Sequence, residues 1–339
     1  MNITLFERNV GKSYSIEKIS ENIIKHLSKK DKIKLFKPKL KKQSILSIIQ
    51  NLIEARKNQS AINHITGDIH YIALALNKNK TIITMHDCER LMSNDFNSLK
   101  RWIYKLFWFT LPNLNCKYIT TVSEESKKNL INYAKIKKEK IKVIPNGVSN
   151  TFKQIKLTKK EKENILQTKK PTILHISDKK KNKNFTRILK AIKDRDIKLI
   201  KIGQIRQIDK KFIESNNIDF SQIEDISEEM LVKIYNSVDC LVFPSLIEGF
   251  GLPIIEAQKC GCPVITSNIG ALAETAGKGA ILIDPKSIKE IREAIGKILK
   301  NKKLKLTITK KGLENINRFK WNQIANKYYE LYQIVLQKN

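Results

Sequence analysis

Along almost the whole chain, short runs rich in β-branched and aromatic residues alternate with longer stretches whose apolar residues recur at helical spacing. Residues 3–6, 61–65, 81–85, 118–122 and 142–144 read as strands, with amphipathic stretches at 16–27, 45–55 and 123–134 between them. Past a polar segment at 145–156, which carries Pro145 and Gly147, the pattern restarts. Strands are expected there at 172–176, 198–202, 238–243, 264–266 and 280–283. Strands separated by helices pair in parallel, with each helix crossing over a sheet face. Two such blocks predict an α/β chain of two Rossmann-like, doubly wound domains, at 1–150 and 151–318. Residues 319–339 read as a last helix with Ile324, Tyr328, Leu331 and Val335 on one face, expected to cross back to the first domain.

Composition narrows the function classes. Of 339 residues 41% are hydrophobic and 29% charged, so a packed core is available and wholesale disorder is excluded. No apolar run approaches the ~20 residues of a membrane-spanning helix. The start, Met1 to Arg8, has no secretory apolar region and reads as a first strand. Five scattered cysteines lack the paired spacing of a zinc site, so no metal is expected, and a reduced, cytoplasmic setting is. Lys plus Arg number 65 against 33 acids, a formal charge of +32, which suits an anionic membrane surface or phosphorylated substrates; the accompanying richness in Asn and Ile equally fits a compositional bias carried on a solvated surface. Only nine of the 65 are arginine, the better reader of nucleic acids, and no recognition-helix or zinc-finger pattern occurs. No specific nucleic-acid partner is expected.

Chemistry concentrates at residues 243–256, Phe-Pro-Ser-Leu-Ile-Glu-Gly-Phe-Gly-Leu-Pro-Ile-Ile-Glu. A strand ends at Phe243, and Pro253 marks the first turn of a helix. The loop Gly249-Phe250-Gly251-Leu252 thus brings bare amides to a helix N-terminus, an anion site. Glu248 and Glu256 flank it, and carboxylates suit sugar or ribose hydroxyls better than phosphate. An ordinary strand-loop-helix turn with a capping acid gives the same local pattern. A dinucleotide fold is disfavoured, since no G-x-G-x-x-G follows the first strand.

Glu248-x7-Glu256, continued by Ala257 to Ser267, Gly270, Glu274 and Ile283-Asp284-Pro285, resembles the donor-site signature of the family 4 retaining glycosyltransferases. Ile82 to Asp87, Thr121 to Ser126, Val143 to Val148 and Phe319-Lys320-Trp321 are similar to other landmarks of that family. The resemblance implies the GT-B architecture, two facing domains with an interdomain cleft. Acceptors would bind on the first domain and nucleotide-sugars on the second.

By the same resemblance Glu256 would hold ribose hydroxyls and Glu248 the donor sugar. The backbone of Gly249, Phe250, Gly251 and Leu252 would line the sugar and phosphates, and His86 would face the transferred sugar. Lys183 matches the phosphate-binding lysine, while Ser177 and Asp178 stand where glycine and arginine are usual; Lys181 is the candidate substitute. Gly11 is the one glycine kept from a usually glycine-rich first loop, and His70 and Asp87 complete the acceptor or diphosphate loops. The aromatic stretch 101–109 fits either a membrane interface or a core helix, and the core reading is preferred.

The expectation is a retaining, metal-independent transferase with no cofactor. It would move a mannose-, glucose- or N-acetylhexosamine-type sugar from a UDP- or GDP-sugar to a glycan or lipid-linked glycan. Surface polysaccharide synthesis, peripheral to the cytoplasmic membrane, is the expected setting. The rivals are a GT-B-fold binding protein without turnover, given the altered phosphate loop, and, ranked below it, a basic nucleic-acid-binding protein, prompted by the +32 charge.

Overall fold

A computed structural model describes residues 1–9, 17–28, 31–38, 44–92 and 97–337. The chain divides into two compact units, Met1–Gly147 with Lys320–Asn339, and Val148–Phe319.

The first unit holds β1 (Asn2–Phe6), β2 (Lys32–Phe36), β3 (Ile62–Ile65), β4 (Thr81–Thr84), β5 (Tyr118–Thr121) and β6 (Ile141–Val143) in the order β2-β1-β3-β4-β5-β6. The second holds β7 (Thr172–Ile176), β8 (Lys198–Ile202), β9 (Phe220–Ile223), β10 (Cys240–Phe243), β11 (Val264–Ser267) and β12 (Ala280–Ile283) in the order β12-β11-β10-β7-β8-β9. Every strand pairing is parallel. Each order reverses once, between β1 and β3 and between β7 and β10, and ligands of such sheets lodge at the strand carboxyl ends beside that reversal.

Two of these strands, β2 and β9, escape the sequence reading, and both are edges. In β2, Lys32 and Lys34 alternate with apolar residues, and β9 is Phe-Ser-Gln-Ile. An edge strand needs little apolar burial, so its hydrophobic signal is weak.

Strand periodicity splits the first unit's core. Ile3 and Leu5 of β1 pack with the Glu17–Leu27 and Trp321–Gln337 helices, while Phe6 joins a second cluster with Ile65, Ile83 and Ile119. The Trp321–Gln337 helix is fastened by chemistry as well as packing. Buried His64 hydrogen-bonds Tyr332 Oη at 2.7 Å and Thr84 Oγ1 at 2.7 Å. Gly147 lies flat against the Trp321 ring, where a Cβ would fall 2.5 Å from ring carbon.

The aromatic stretch is a core helix on one side only. Phe109 is buried and Tyr104 stacks on Trp108 at 5.3 Å, but Trp102 stands 61% exposed. The preference for a core helix thus holds for its inner face and fails for its outer one.

Candidate functional site

In the second unit the loops following β7 and β10 meet, because those strands are neighbours at the sheet's reversal. The loops are laced together. The Leu246 amide donates to Asn182 O at 2.7 Å, and the Asn182 side chain donates to Ile247 O at 3.3 Å. Asn184, left-handed at φ 64°, donates from Nδ2 to Pro244 O and Pro285 O. Across this seam Lys183 Nζ meets Glu248 Oε1 at 2.8 Å, with side chains only 14% and 15% exposed.

The β10 loop then enters the Leu252–Lys259 helix through Gly251, whose φ is +99°. A Cβ there would fall 2.7 Å from Leu272 Cδ2 and 3.1 Å from Ile254 Cδ1, so glycine is required for conformation and for space. No side-chain hydrogen bond caps this N-terminus; the Ile254 amide donates to Gly251 O at 3.0 Å, and the helix dipole places partial positive charge here. Phe250 turns its ring inward against Phe319, centroids 5.6 Å apart, and Leu252 is half-buried. Gly249 sits between Glu248 and this buried ring. Glu256 follows on the helix, where Tyr235 Oη donates to its Oε2 at 3.2 Å. Burial, reinforced by the Glu256 carboxylate, pushes the Tyr235 phenol well above its usual range, so it remains a donor.

Sequence reasoning missed what supports the β7 loop from below. Lys201 of β8 is fully buried, and its Nζ donates to Ser177 O and, at 2.8 Å, to Ile202 O. Burial lowers its pKa to about 8, against the pull of Asp178, Asp209 and Glu224. His175 of β7 donates from Nδ1 to Val242 O at 2.8 Å, which leaves Nε2 to accept from Ser177 Oγ at 2.9 Å. Burial, and secondarily the Lys201 charge, lowers the His175 pKa to about 3. The available signal was a lysine within the apolar run Leu199-Ile200-Lys201-Ile202, a poor place for a solvated cation. Lys181 shares the Lys181–Lys183 turn but is exposed.

In the first unit His86 follows β4 and donates from Nε2 to Thr66 O, just past β3, at 3.0 Å. Its pKa is lowered, chiefly by burial; Asp87, Asp68 and the Thr66 carbonyl oppose this, and His70 adds to it. A neutral imidazole held by Nε2–H presents Nδ1 as an acceptor. Asp87 is exposed and accepts the Glu89 amide at 3.0 Å. His70, buried, donates from Nδ1 to Trp108 O at 3.0 Å, and Trp108 Nε1 donates to Asp68 Oδ1 at 2.9 Å. Gly11 lies outside the described residues. A second missed group is Glu7 at the end of β1, buried and ion-paired to Lys37 at 2.7 Å.

Among the described residues, no group of three or more His, Cys, Asp or Glu could hold a metal ion. The second unit therefore combines a cation, two carboxylates and an open helix N-terminus at a doubly wound switch point. That set suits a ligand bearing phosphates and hydroxyls.

A family model described as "Glycosyl transferases group 1" matches residues 157–315, and one described as "Glycosyltransferase Family 4" matches 17–152. The O-antigen chain mannosyltransferase RfbU of Salmonella typhimurium is 29% identical over 231 residues, covering 66% of this chain and 62% of its own. O-antigen chain mannosyltransferase B of Escherichia coli is 32% identical over 110 residues, 32% of this chain and 29% of its own. The aligned parts thus span less than two thirds of either relative. Among solved structures, a glycosyltransferase from Rickettsia africae superposes with a TM-score of 0.79 at 20% identity, covering 100% of this chain and 99% of that one. Anabaena HepE in complex with UDP-glucose gives 0.80 at 16%, over 98% and 99%. These likenesses show the GT-B fold.

Proposed function

The chain belongs to the family 4 glycosyltransferases, and from that premise we propose that it is a retaining, metal-independent hexosyltransferase. Its donor is a UDP- or GDP-sugar, and its acceptor a glycan or lipid-linked glycan in surface polysaccharide synthesis on the cytoplasmic side of the membrane. The names of both curated relatives favour mannose as the sugar.

The observation that carries the reading is the Lys183–Glu248 pair beside the uncapped N-terminus of the Leu252–Lys259 helix. A diphosphate needs cations and amides; a sugar needs a carboxylate that accepts from hydroxyls. In this proposal the diphosphate draws Lys183 from Glu248 and rests on the amides of the Gly249–Leu252 loop. Glu248, released, accepts from the donor sugar, and Glu256 accepts from the ribose diol. Exposed Lys181 adds long-range attraction without the fork of an arginine.

In the transfer the acceptor oxygen bonds the anomeric carbon as the bond from that carbon to the diphosphate oxygen breaks. Attack on the same face lets the departing diphosphate take the acceptor's proton. The products are a glycoside of unchanged anomeric configuration and a nucleoside diphosphate. The protein's work is then positioning and stabilisation of charge on the leaving group, to which Lys183 and the helix N-terminus contribute. His86 offers Nδ1 to a sugar hydroxyl, with Asp87 and His70 shaping the field around it.

The test is a thermal-shift panel of UDP, GDP, ADP and their sugars, with and without EDTA, on wild type and Glu256→Ala. Selective stabilisation that resists EDTA and is lost in Glu256→Ala supports the reading and identifies the base. No shift with any nucleotide overturns it in favour of a fold without turnover.

A further inference from the structure

The first unit carries an apolar face that its own core does not use. On the Ile45–Lys57 helix, Ser47, Asn51 and Ala55 point inward, while Leu46, Ile49 and Ile53 stand 75%, 47% and 52% exposed along one stripe. On the Ser98–Lys105 helix and the turn after it, Leu99, Trp102 and Phe107 are exposed in the same way. The two stripes belong to adjoining elements. Asn51 Nδ2 donates to Tyr71 Oη at 3.0 Å, and the Tyr71 ring lies 6.1 Å from that of Trp108. The short helix His70–Ala75, which carries Tyr71, thus bridges them, and its Leu74 is exposed too. Elsewhere among the described residues, exposed large apolar side chains are dispersed over both units.

Charge says what covers this face. The segment Ser98–Lys105 holds Lys100, Arg101 and Lys105 and no acid, and the first helix ends in Arg56 and Lys57. The chain as a whole carries +32. A second copy would bring the same positive charge against itself, whereas an anionic bilayer supplies both an apolar interior and the opposite sign. An outward tryptophan amid basic residues also matches the preference of indole for the headgroup boundary.

We propose that the outer faces of Ile45–Lys57 and Ser98–Lys105 form one docking surface that inserts into the headgroup region of an anionic lipid bilayer. This rests on the lipid-linked-acceptor reading only for its purpose; the physical claim is separate and is tested separately.

The experiment is co-sedimentation of the full chain with phosphatidylcholine vesicles, with and without phosphatidylglycerol. The wild type, a Trp102→Ser/Phe107→Ser variant and a Lys100→Gln/Lys105→Gln variant are compared, with tryptophan fluorescence recorded. Expected are binding only to the anionic vesicles, a blue shift of wild-type emission that the Trp102→Ser/Phe107→Ser variant lacks, and a drop in partitioning of about tenfold or more for that variant. The basic variant loses several-fold, and added salt removes that difference. Trp102, Phe107 and Lys100 are exposed and Lys105 is half-buried, so nucleotide thermal shifts and melting of both variants should match wild type, separating this result from failure of the transferase reading. Unchanged partitioning of the apolar variant overturns the proposal, because diffuse charge then suffices. So does concentration-dependent dimerisation of wild type that the apolar variant abolishes, which would assign the face to a second copy.

Discussion

Lys183 and Glu248 should behave as a coupled pair whose coupling changes sign when nucleotide binds. At 2.8 Å and an effective dielectric constant of about 20, the gross attraction is about 6 kcal/mol. Most of it offsets desolvation, since both side chains are about 85% shielded, leaving a net coupling of about 1–2 kcal/mol. Lys183→Met should destabilise the empty protein by about 1–3 kcal/mol, because it leaves the Glu248 carboxylate in a shielded place without its cation. Glu248→Gln should cost less, since the amide oxygen can still accept from Nζ. The double variant should be less destabilised than the sum. Binding separates the roles. Lys183→Met should weaken a nucleoside diphosphate by about 10–100-fold, as loss of one charge-assisted contact does. Glu248→Gln should bind the same diphosphate at least as tightly as wild type, because Lys183 no longer has to leave a carboxylate, yet should lose turnover with the sugar donor. Chemical denaturation of the four proteins and calorimetric titration with UDP and GDP make the cycle. Additive stabilities within about 0.3 kcal/mol, or equal weakening of diphosphate by both single variants, would refute the reasoning.

Other expectations follow from the same structure. Gly251→Ala should lower stability by about 1–3 kcal/mol and abolish nucleotide-dependent thermal shifts, because its φ of +99° and the 2.7 Å approach to Leu272 exclude a methyl group. His175 stays neutral in the fold to about pH 3, while an unfolded chain's histidine takes its proton near 6.5. Stability present above pH 6.5 is therefore lost on acidification, by about 2 kcal/mol between pH 7 and 5, and His175→Gln should remove that part of the slope. Buried Lys201 has a consequence of the same sign on the alkaline side. Its folded pKa of about 8 lies below the unfolded 10.5, so its contribution to stability rises with pH across that window. The difference between wild type and Lys201→Met in denaturant titrations should grow by about 2 kcal/mol from pH 7 to 10. Tyr332→Phe leaves His64 Nδ1 without its buried partner and should cost about 1–2 kcal/mol, read in the same titrations.

The strand and helix alternation, the parallel sheets and the residues of the β10 loop were all legible without coordinates. Buried strands such as Cys240–Phe243 are continuous apolar runs, and Gly251 followed by Pro253 marks a forced turn and a helix start, so these signals are local. The edge strands β2 and β9 were not legible, because half-exposed strands carry lysine or polar residues. Nor was the outward face of Ser98–Lys105, since aromatic spacing alone does not say which side of a helix finds a partner. His175 and Glu7 read as ordinary polar or charged positions until burial is known, and Lys201 stands out only by its apolar neighbours.

What the sequence determined by itself is therefore what depends on neighbours along the chain: element type and the glycine that opens the Leu252–Lys259 helix. Tertiary structure alone decided which loops touch. That Lys183 meets Glu248, 65 residues away, follows from β10 pairing beside β7 across a reversal of strand order. That Tyr332 reaches His64 follows from the last helix rejoining the first unit. Sequence separation sets no limit on these contacts. They form because sheet pairing and apolar burial bring distant segments together, and the charges and hydrogen bonds then choose partners among the groups that arrive.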